Sequence, residues 1–106
     1  MSLDFSLVEE KEVLDVNLTH NLGGMAEACG LYEPLWRACE NDWEYADDII
    51  KPLEKGIANL MVNKKELIEK HTPENGWGNY DQLKSVALKV YAMCVSNPEL
   101  KIEIDK

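Results

Sequence analysis

Two short segments near the ends of the chain alternate between apolar and polar residues. Residues 13–18 place three apolar side chains on one side and polar ones on the other, and residues 100–105 repeat the pattern. A period of two is that of a half-buried β-strand. We expect the two strands to pair as a two-stranded ribbon covered by helices or by a second subunit, because such a ribbon is marginal by itself. Residues 1–12 precede the first strand and are predicted to form a flexible segment.

The chain between these strands has the period of amphipathic helices, and the first two helices are short. Thr19 is placed to cap the first helix, which ends before Gly30. Gly23 and Gly24 lie inside this helix and predict that something packs directly against its backbone. A second helix begins around Pro34, in the first turn, where a missing N–H is harmless.

Two longer helices complete the series, with a short charged helical piece between them. The first runs over residues 45–62, and Pro52 leaves two alternatives open. Either the helix begins near Asp48, or it is kinked around the proline. The last helix begins at Asn79, with Gln82 three residues later in the spacing of a capping box.

These elements predict an α+β fold, mostly α, with four to five helices packed against the ribbon. With 106 residues the chain fits a single domain, residues 1–106. Its 45% apolar and 29% charged residues are typical of globular proteins. No stretch reaches the roughly 18 apolar residues of a membrane span, and the first residues lack the pattern of a secretory signal. We therefore expect a cytoplasmic protein that makes no membrane contact.

Negative charge is concentrated in the first half of the chain. The net charge is −9, and residues 1–50 hold twelve acids and two bases, whereas residues 51–106 hold eight acids and nine bases. Such a surface repels phosphate backbones, and Arg37 is the single arginine, so direct binding of nucleic acid is not expected. A protein partner with a positive surface fits this charge better.

An aromatic residue among carboxylates marks the predicted interaction surface. It consists of Asp42, Trp43, Glu44, Asp47 and Asp48. A calcium site is the first alternative, but the spacing, the glycine and the last ligand of an EF-hand are missing. The second alternative is a solvated helix start, where acids suit the helix dipole without any partner.

Two motifs carry a resemblance to known proteins. Residues 17–22 read Asn-Leu-Thr-His-Asn-Leu, with Met25–Ala26 after them, and residues 73–80 read Pro-Glu-Asn-Gly-Trp-Gly-Asn-Tyr. Together they resemble a group of small uncharacterised proteins encoded by bacteriophages, prophages and bacterial genomes. The resemblance covers about residues 13–104. It implies a phage or mobile-element setting and lends no catalytic residue, because no activity is established for that group.

The same motifs contain the predicted ligand-binding residues, which are His20, Asn21, Asn75, Trp77 and Tyr80. His20 and Asn21 lie at a helix start, the end that favours anions. Trp77 stands between glycines, which allow close approach to a binding anchor. Both also have structural explanations: a partly buried His20 bonded to backbone, and Trp77 folded back as a plug for the core.

The sequence shows no catalytic or metal site, and no cofactor is expected. Cys29, Cys39 and Cys94 are odd in number, lack a CxxC spacing and are predicted to be buried thiols on apolar helix faces. His20 and His71 have no partner at the spacing of zinc ligands. The lack of a placed nucleophile and base argues against an enzyme without deciding the matter.

Three functions from different classes remain open. The first is a non-enzymatic interaction or regulatory module of phage or mobile-element type, acting through protein contacts of the acidic half, of Trp77, or of both. The alternative is a small-ligand binding protein or cryptic enzyme with a pocket around His20 and Trp77. The third is a homodimer joined through the terminal strands, whose exposed edges invite pairing.

Overall fold

A computed structural model describes residues 2–8, 12–72 and 78–105 of the chain. Strands and helices follow in the order β1 (Ser2–Val8), β2 (Glu12–Thr19), α1 (Gly23–Cys29), α2 (Tyr32–Trp36), α3 (Ala46–Val62), α4 (Lys64–His71), α5 (Tyr80–Ser96) and β3 (Lys101–Asp105). Short 3-10 turns cover His20–Leu22 and Ala38–Asn41. The fold is α+β and mostly helical, which confirms the predicted class.

The three strands form one antiparallel sheet in the order β2-β1-β3. Phe5 in the central strand lies opposite Val16 of β2 and Ile104 of β3. Leu3 and Leu7 share the face of Phe5, and all three side chains are buried against the helices. The other face of the sheet is mostly polar.

The sequence predicts β2 and β3 correctly but misses the strand between them. The segments 13–18 and 100–105 are strands, but they do not pair with each other, because each pairs with β1. The predicted two-stranded ribbon is therefore wrong in its pairing. Residues 2–8, which the sequence assigns to a flexible segment, form the central strand β1. A third strand has a physical advantage, since three strands with a covered face are stable where two are marginal.

One apolar core lies between the sheet and the helices. Its largest buried side chains come from every layer and include Phe5, Leu22, Met25, Leu35, Ile49, Leu53, Leu83 and Val90. Two tyrosines of α5 fasten that helix to α3: the Tyr80 hydroxyl donates to the Leu60 carbonyl and the Tyr91 hydroxyl to Glu54 Oε1, each at 2.9 Å. The order of these contacts means that α3 and α5 run in opposite directions.

The predicted caps are present at two helix ends. Asn79 Oδ1 accepts from the Gln82 N–H at 2.9 Å, and Gln82 Oε1 accepts from the Asn79 N–H at 3.1 Å. This reciprocal pair is a capping box and sets the start of α5. Gly30 ends α1 in the left-handed conformation, with φ of 90°.

Helix α3 begins at Ala46 and contains Pro52. This start lies two residues before Asp48, which is therefore in the first turn rather than at the helix start. Asp48 instead caps the helix, because its Oδ2 accepts from the N–H groups of Glu44 at 3.1 Å and Tyr45 at 3.0 Å. Pro52 lacks the N–H that an α-helix would direct at the carbonyl of Asp48.

The two outer edges of the sheet differ. Along β3, Tyr45 forms an isolated antiparallel bridge with Lys101, and the Ile102 N–H donates to the Glu44 carbonyl at 2.8 Å. The segment just before α3 thus covers part of that edge. Along β2, no strand pairs with the side that faces away from β1, within the ranges the structure describes. We call this side the open edge of β2.

Close backbone packing occurs at Gly56 rather than at the two glycines of α1. A Cβ at Gly56 would lie 2.5 Å from Leu31 Cδ2, so only glycine lets α3 approach the bend after α1 this closely. A Cβ at Gly23 would meet the Tyr32 ring at an ordinary 3.6 Å, and one at Gly24 would meet nothing within 4 Å. The packing expected at Gly23 and Gly24 is therefore wrong.

Candidate functional site

Three clefts on the described surface contain side chains that could bind a ligand or a partner. The β2–α5 groove, about 650 Å³, lies between β2 and the first turns of α5. The His20 cleft, about 450 Å³, lies beside Trp36. The Trp43 cleft, about 440 Å³, lies between the α1–α2 region and α3.

The β2–α5 groove follows from the way α5 starts beside the end of β2. Residues 17–19 of β2 form one wall, and the opposite wall includes Asp81, Gln82 and Val86 of α5. Gly78 lies at one end with φ of 107°, and a Cβ there would be 2.8 Å from Thr19 Cγ2. Both the conformation and the contact require glycine, so this residue brings α5 close to the strand.

The groove is lined by two apolar side chains among mostly polar ones. Leu18 is buried and Val86 is half-buried, and they supply apolar surface from the two walls. Asp81 is the one charged residue among the described residues that line the groove. The side-chain amide of Asn17 donates to Asp4 Oδ1 at 2.7 Å, so it is oriented by the neighbouring strand.

The open edge of β2 borders this groove. In a β-strand the N–H and C=O groups of alternate residues point to opposite sides, so half of those in β2 point away from β1. Such an edge is a template for an added strand unless something covers it. The groove therefore places the backbone of residues 17–19, at the end of this edge, beside the first turns of a helix, and known recognition modes add extended peptides to such edges.

The His20 cleft is organised by a hydrogen bond between two aromatic rings. The Trp36 indole N–H donates to His20 Nδ1 at 2.9 Å, and the Tyr32 ring stacks on Trp36 with centroids 5.4 Å apart. Indole nitrogen only donates, so Nδ1 carries no proton and the neutral imidazole is protonated on Nε2. The expected backbone bond of a structural histidine is thus replaced by a side-chain bond.

The remaining predicted ligand residues do not join His20 in its cleft. Asn21 is exposed, and its backbone N–H donates to Thr19 Oγ1 at 3.3 Å. Tyr80 is buried, with its hydroxyl bonded to the Leu60 carbonyl. Asn75 and Trp77 lie outside the described residues, so their predicted contact with a ligand stays a prediction.

The Trp43 cleft has apolar walls and charged rims. Trp43, Pro34 and Pro52 form the walls, and Lys51 and Lys55 line the α3 side. Trp43 is half-buried and packs against the core. This cleft contains one residue of the predicted interaction surface, the tryptophan.

The acidic members of that predicted surface are exposed, but one of them has a structural task. Asp42, Glu44 and Asp47 are exposed to solvent, and Asp42 adopts a left-handed conformation with φ of 62°. Asp48 is also exposed, yet its carboxylate accepts the two backbone bonds that cap α3. Whether a partner contacts these residues stays a prediction.

Two of the three cysteines are buried as predicted. Burial raises the pKa of the Cys29 thiol and raises the pKa of Cys94 to about 12. Cys39 is exposed, which corrects the prediction: α2 ends at Trp36, and Cys39 lies on a 3-10 turn that interrupts the helical period. In the part of the chain that the structure describes, no group of three or more His, Cys, Asp or Glu side chains is placed to hold a metal ion.

Sequence reasoning missed the residues of the β2–α5 groove and most of the Trp43 cleft. Val86 fits the apolar period of α5 like a core residue, and the groove beside it depends on β2 being an outer strand. That position follows only from the sheet order, which needs β1. In the sequence, Pro34 and Pro52 indicate only where a helix begins or is kinked. No local pattern predicts that both lie near Trp43.

None of the helices in the described ranges has both the length and the apolar character to cross a bilayer. The chain matches no protein-family model, no curated protein and no solved structure. The resemblance of residues 17–22 and 73–80 to phage-encoded proteins therefore stays a prediction.

Proposed function

We propose that the protein is a non-enzymatic interaction module, of phage or mobile-element type, that accepts an extended segment of a partner protein along β2. The observation that carries the proposal is the open edge of β2 beside the β2–α5 groove. A segment lying there bonds to the backbone groups of β2 that face away from β1. Its alternate side chains then point between Leu18 and Val86, because successive side chains of a strand point to opposite faces.

Charge favours basic side chains on the remaining positions of that segment. On the open face of the sheet, Asp4 lies opposite Asn17 and Asp105. A strand added beside β2 directs its outward side chains to within about 10 Å of Asp4, since neighbouring strands are about 4.8 Å apart. That distance is comparable to the screening length at physiological salt. With Asp81 in the groove and a net charge of −9, the expected partner alternates apolar and basic residues.

A second copy of this chain fits the same edge less well. Two copies each carry a net charge of −9 and repel one another. The outer edge of β3 is no better, because Tyr45 and Glu44 already occupy part of it. Light scattering should therefore find a monomer at moderate concentration and physiological salt. A stable dimer that needs the β2 edge would mean that this edge binds a second copy rather than a segment of a partner protein.

Selection from a random peptide library tests the proposal. The peptides are eight residues long, the length of β2. We expect selected peptides to alternate apolar residues with Lys or Arg and to lack Pro at the positions that bond to β2. Binding by strand addition has a further requirement: methylating the peptide N–H groups at one set of alternate positions should abolish binding, while methylating the other set should not.

Matched variants locate the binding site. Val86→Glu and Asp81→Lys should each weaken a selected peptide about tenfold or more. Val95→Glu is the control for the first, since Val95 is exposed on the same helix outside the groove, and Asp47→Lys is the control for the second, since both acids lie in the first turn of a helix. If a variant and its control weaken binding equally, or if the library yields no binding peptide, the proposal that the groove binds a partner segment would be contradicted.

A second candidate function is the binding of a small aromatic ligand in the His20 cleft. The favouring observation is that the Trp36 indole N–H donates to Nδ1 of the His20 imidazole, which leaves the Nε2–H without an acceptor in the described part of the chain. A planar ligand with an acceptor atom suits that donor and the nearby rings. Screening aromatic fragments by the ring resonances of His20 tests this candidate, and a screen in which no fragment shifts those resonances would reject it.

A further inference from the structure

We propose that the Trp43 cleft is a second docking site, independent of the β2–α5 groove, and that its occupant is an acidic protein segment carrying an apolar side chain. The two sites thus select opposite charges. Three features of the cleft favour this occupant: its apolar walls, the position of its tryptophan, and two lysines at its rim.

The apolar walls consist of a tryptophan with an anchored backbone and two prolines. The Trp43 backbone N–H donates to the Ala38 carbonyl at 3.1 Å, and Asp42 before it adopts the left-handed conformation that turns the chain toward α3. Pro34 and Pro52 add rings that have no side-chain rotamers to lose and no N–H to satisfy. A cleft built from such side chains loses little conformational freedom when an apolar group enters. Tryptophan is also among the residues that most often anchor protein contacts.

The α3 rim of the cleft is positively charged, whereas the protein as a whole has a net charge of −9. Lys51 and Lys55 are one turn apart on α3, so their side chains are neighbours on the helix surface. Neither forms an ion pair among the residues the structure describes, although the chain has nearly twice as many acids as bases. Two unpaired ammonium groups close together repel, and a carboxylate between them relieves that repulsion.

One acid lines the other side of the cleft and accepts a hydrogen bond from a neutral amide. Glu33 lines the cleft, and its Oε2 accepts from the Asn41 side-chain amide at 2.7 Å. The cleft therefore has apolar walls, two cations on the α3 rim and one carboxylate on the opposite rim. An apolar side chain next to Asp or Glu fits the apolar walls and the two cations, whereas a basic segment meets the lysines with like charge.

Two labelled peptides probe this site. The first carries the central sequence Asp-Leu-Asp in an otherwise neutral peptide, and the second carries Lys-Leu-Lys in the same frame. We expect the acidic peptide to bind at least about tenfold more tightly by fluorescence anisotropy, with an affinity that falls as salt is raised. Equal binding of the two peptides, or no binding of either, overturns the proposal.

Variants assign the binding to the cleft. The double variant Lys51→Glu and Lys55→Glu should weaken the acidic peptide about tenfold or more. Its control, Lys65→Glu with Lys89→Glu, makes the same change in net charge at exposed lysines that do not line the cleft. Trp43→Phe retains most of the packing and should also weaken binding. If the control double variant loses the same binding affinity, the effect is explained by net charge alone and the proposal is overturned.

The outcome is separable from that of the proposed function. Val86→Glu and Asp81→Lys should leave binding of the acidic peptide unchanged, because neither residue lines the Trp43 cleft. If the acidic peptide fails and the Lys51→Glu, Lys55→Glu variant instead abolishes self-association in sedimentation experiments, the occupant is a second copy and the proposal is wrong. If no peptide binds in the β2–α5 groove, the proposal for the Trp43 cleft is unaffected. If the acidic peptide does not bind in the cleft, the proposed function is likewise unaffected.

Discussion

The indole N–H of Trp36 donates to Nδ1 of His20 across 2.9 Å, between residues sixteen positions apart in the chain. His20 lies directly after β2, and Trp36 is the last residue of α2. The bond therefore ties the end of the outer strand to the helical layer. Because residues 17–19 form a wall of the β2–α5 groove, this pair also helps to hold that wall in place.

Removing the indole donor should destabilise the fold. Trp36→Phe leaves Nδ1 of His20 without its donor and leaves a smaller side chain in a buried site, so we expect a loss of about 1–3 kcal/mol in the free energy of unfolding. Urea denaturation measures it. Trp43→Phe removes the same atoms from a half-buried indole that has no hydrogen-bond partner in the described structure, and it should cost less. An equal cost for both would show that the bond contributes nothing.

The contact between α3 and the bend after α1 predicts opposite effects for two glycines. Gly56→Ala places a methyl group 2.5 Å from the buried Leu31 side chain and should lower the free energy of unfolding by about 1–3 kcal/mol. Gly24→Ala meets nothing within 4 Å and should raise it by up to about 1 kcal/mol, since alanine favours a helix. A stable Gly56→Ala variant would be inconsistent with this packing.

The three thiols should differ in reactivity. Cys39 is exposed, whereas Cys29 and Cys94 are buried. Titration of the native protein with a thiol reagent should therefore show one fast group and two slow ones, and all three should react quickly after denaturation. In the Cys39→Ser variant the fast phase should disappear. Two or three fast thiols in the native wild-type protein would mean that the helices do not cover Cys29 and Cys94.

Burial of Cys94 predicts a loss of stability in alkali. Its pKa is raised to about 12 by burial from an ordinary value of 9.0, so the thiol stays neutral in the folded state where it ionises in the unfolded chain. The unfolded state then binds fewer protons, and stability falls as the pH rises from about 9 towards 12. Urea unfolding at about pH 8 and about pH 10 should show a smaller decline in Cys94→Ala than in the wild type. The same decline in both would assign it to other groups.

Local chemistry in the sequence was sufficient to predict most of the helices and two strands. The capping box of Asn79 and Gln82 and the glycine at position 30 depend on neighbours within one turn, so their residues predict the helix ends. The alternation of β2 and β3 likewise reveals strands. The pairing of strands is non-local, however, and the apolar residues Leu3, Phe5 and Leu7 of β1 gain their partners only in the sheet.

The candidate sites were harder to predict because each depends on elements far apart in the chain. The β2–α5 groove needs the sheet order and the close approach at Gly78. The Trp43 cleft needs Pro34 and Pro52 to meet across two helices, and the packing at Gly56 needs the bend at Leu31. By contrast, His20 and Trp43 could be selected from the sequence, since an aromatic or imidazole side chain at a turn is notable by itself.

Hydrogen exchange of the β2 amides would reveal an added strand residue by residue. The amides of Glu12–Thr19 are compared in the free protein and in the presence of a saturating peptide selected from the library. We predict that exchange slows at alternate residues of β2 by about tenfold or more, because those amides acquire partners, while the Lys101–Asp105 strand is unchanged. Unaltered exchange along β2 with the peptide bound, or protection of β3 instead, would contradict strand addition.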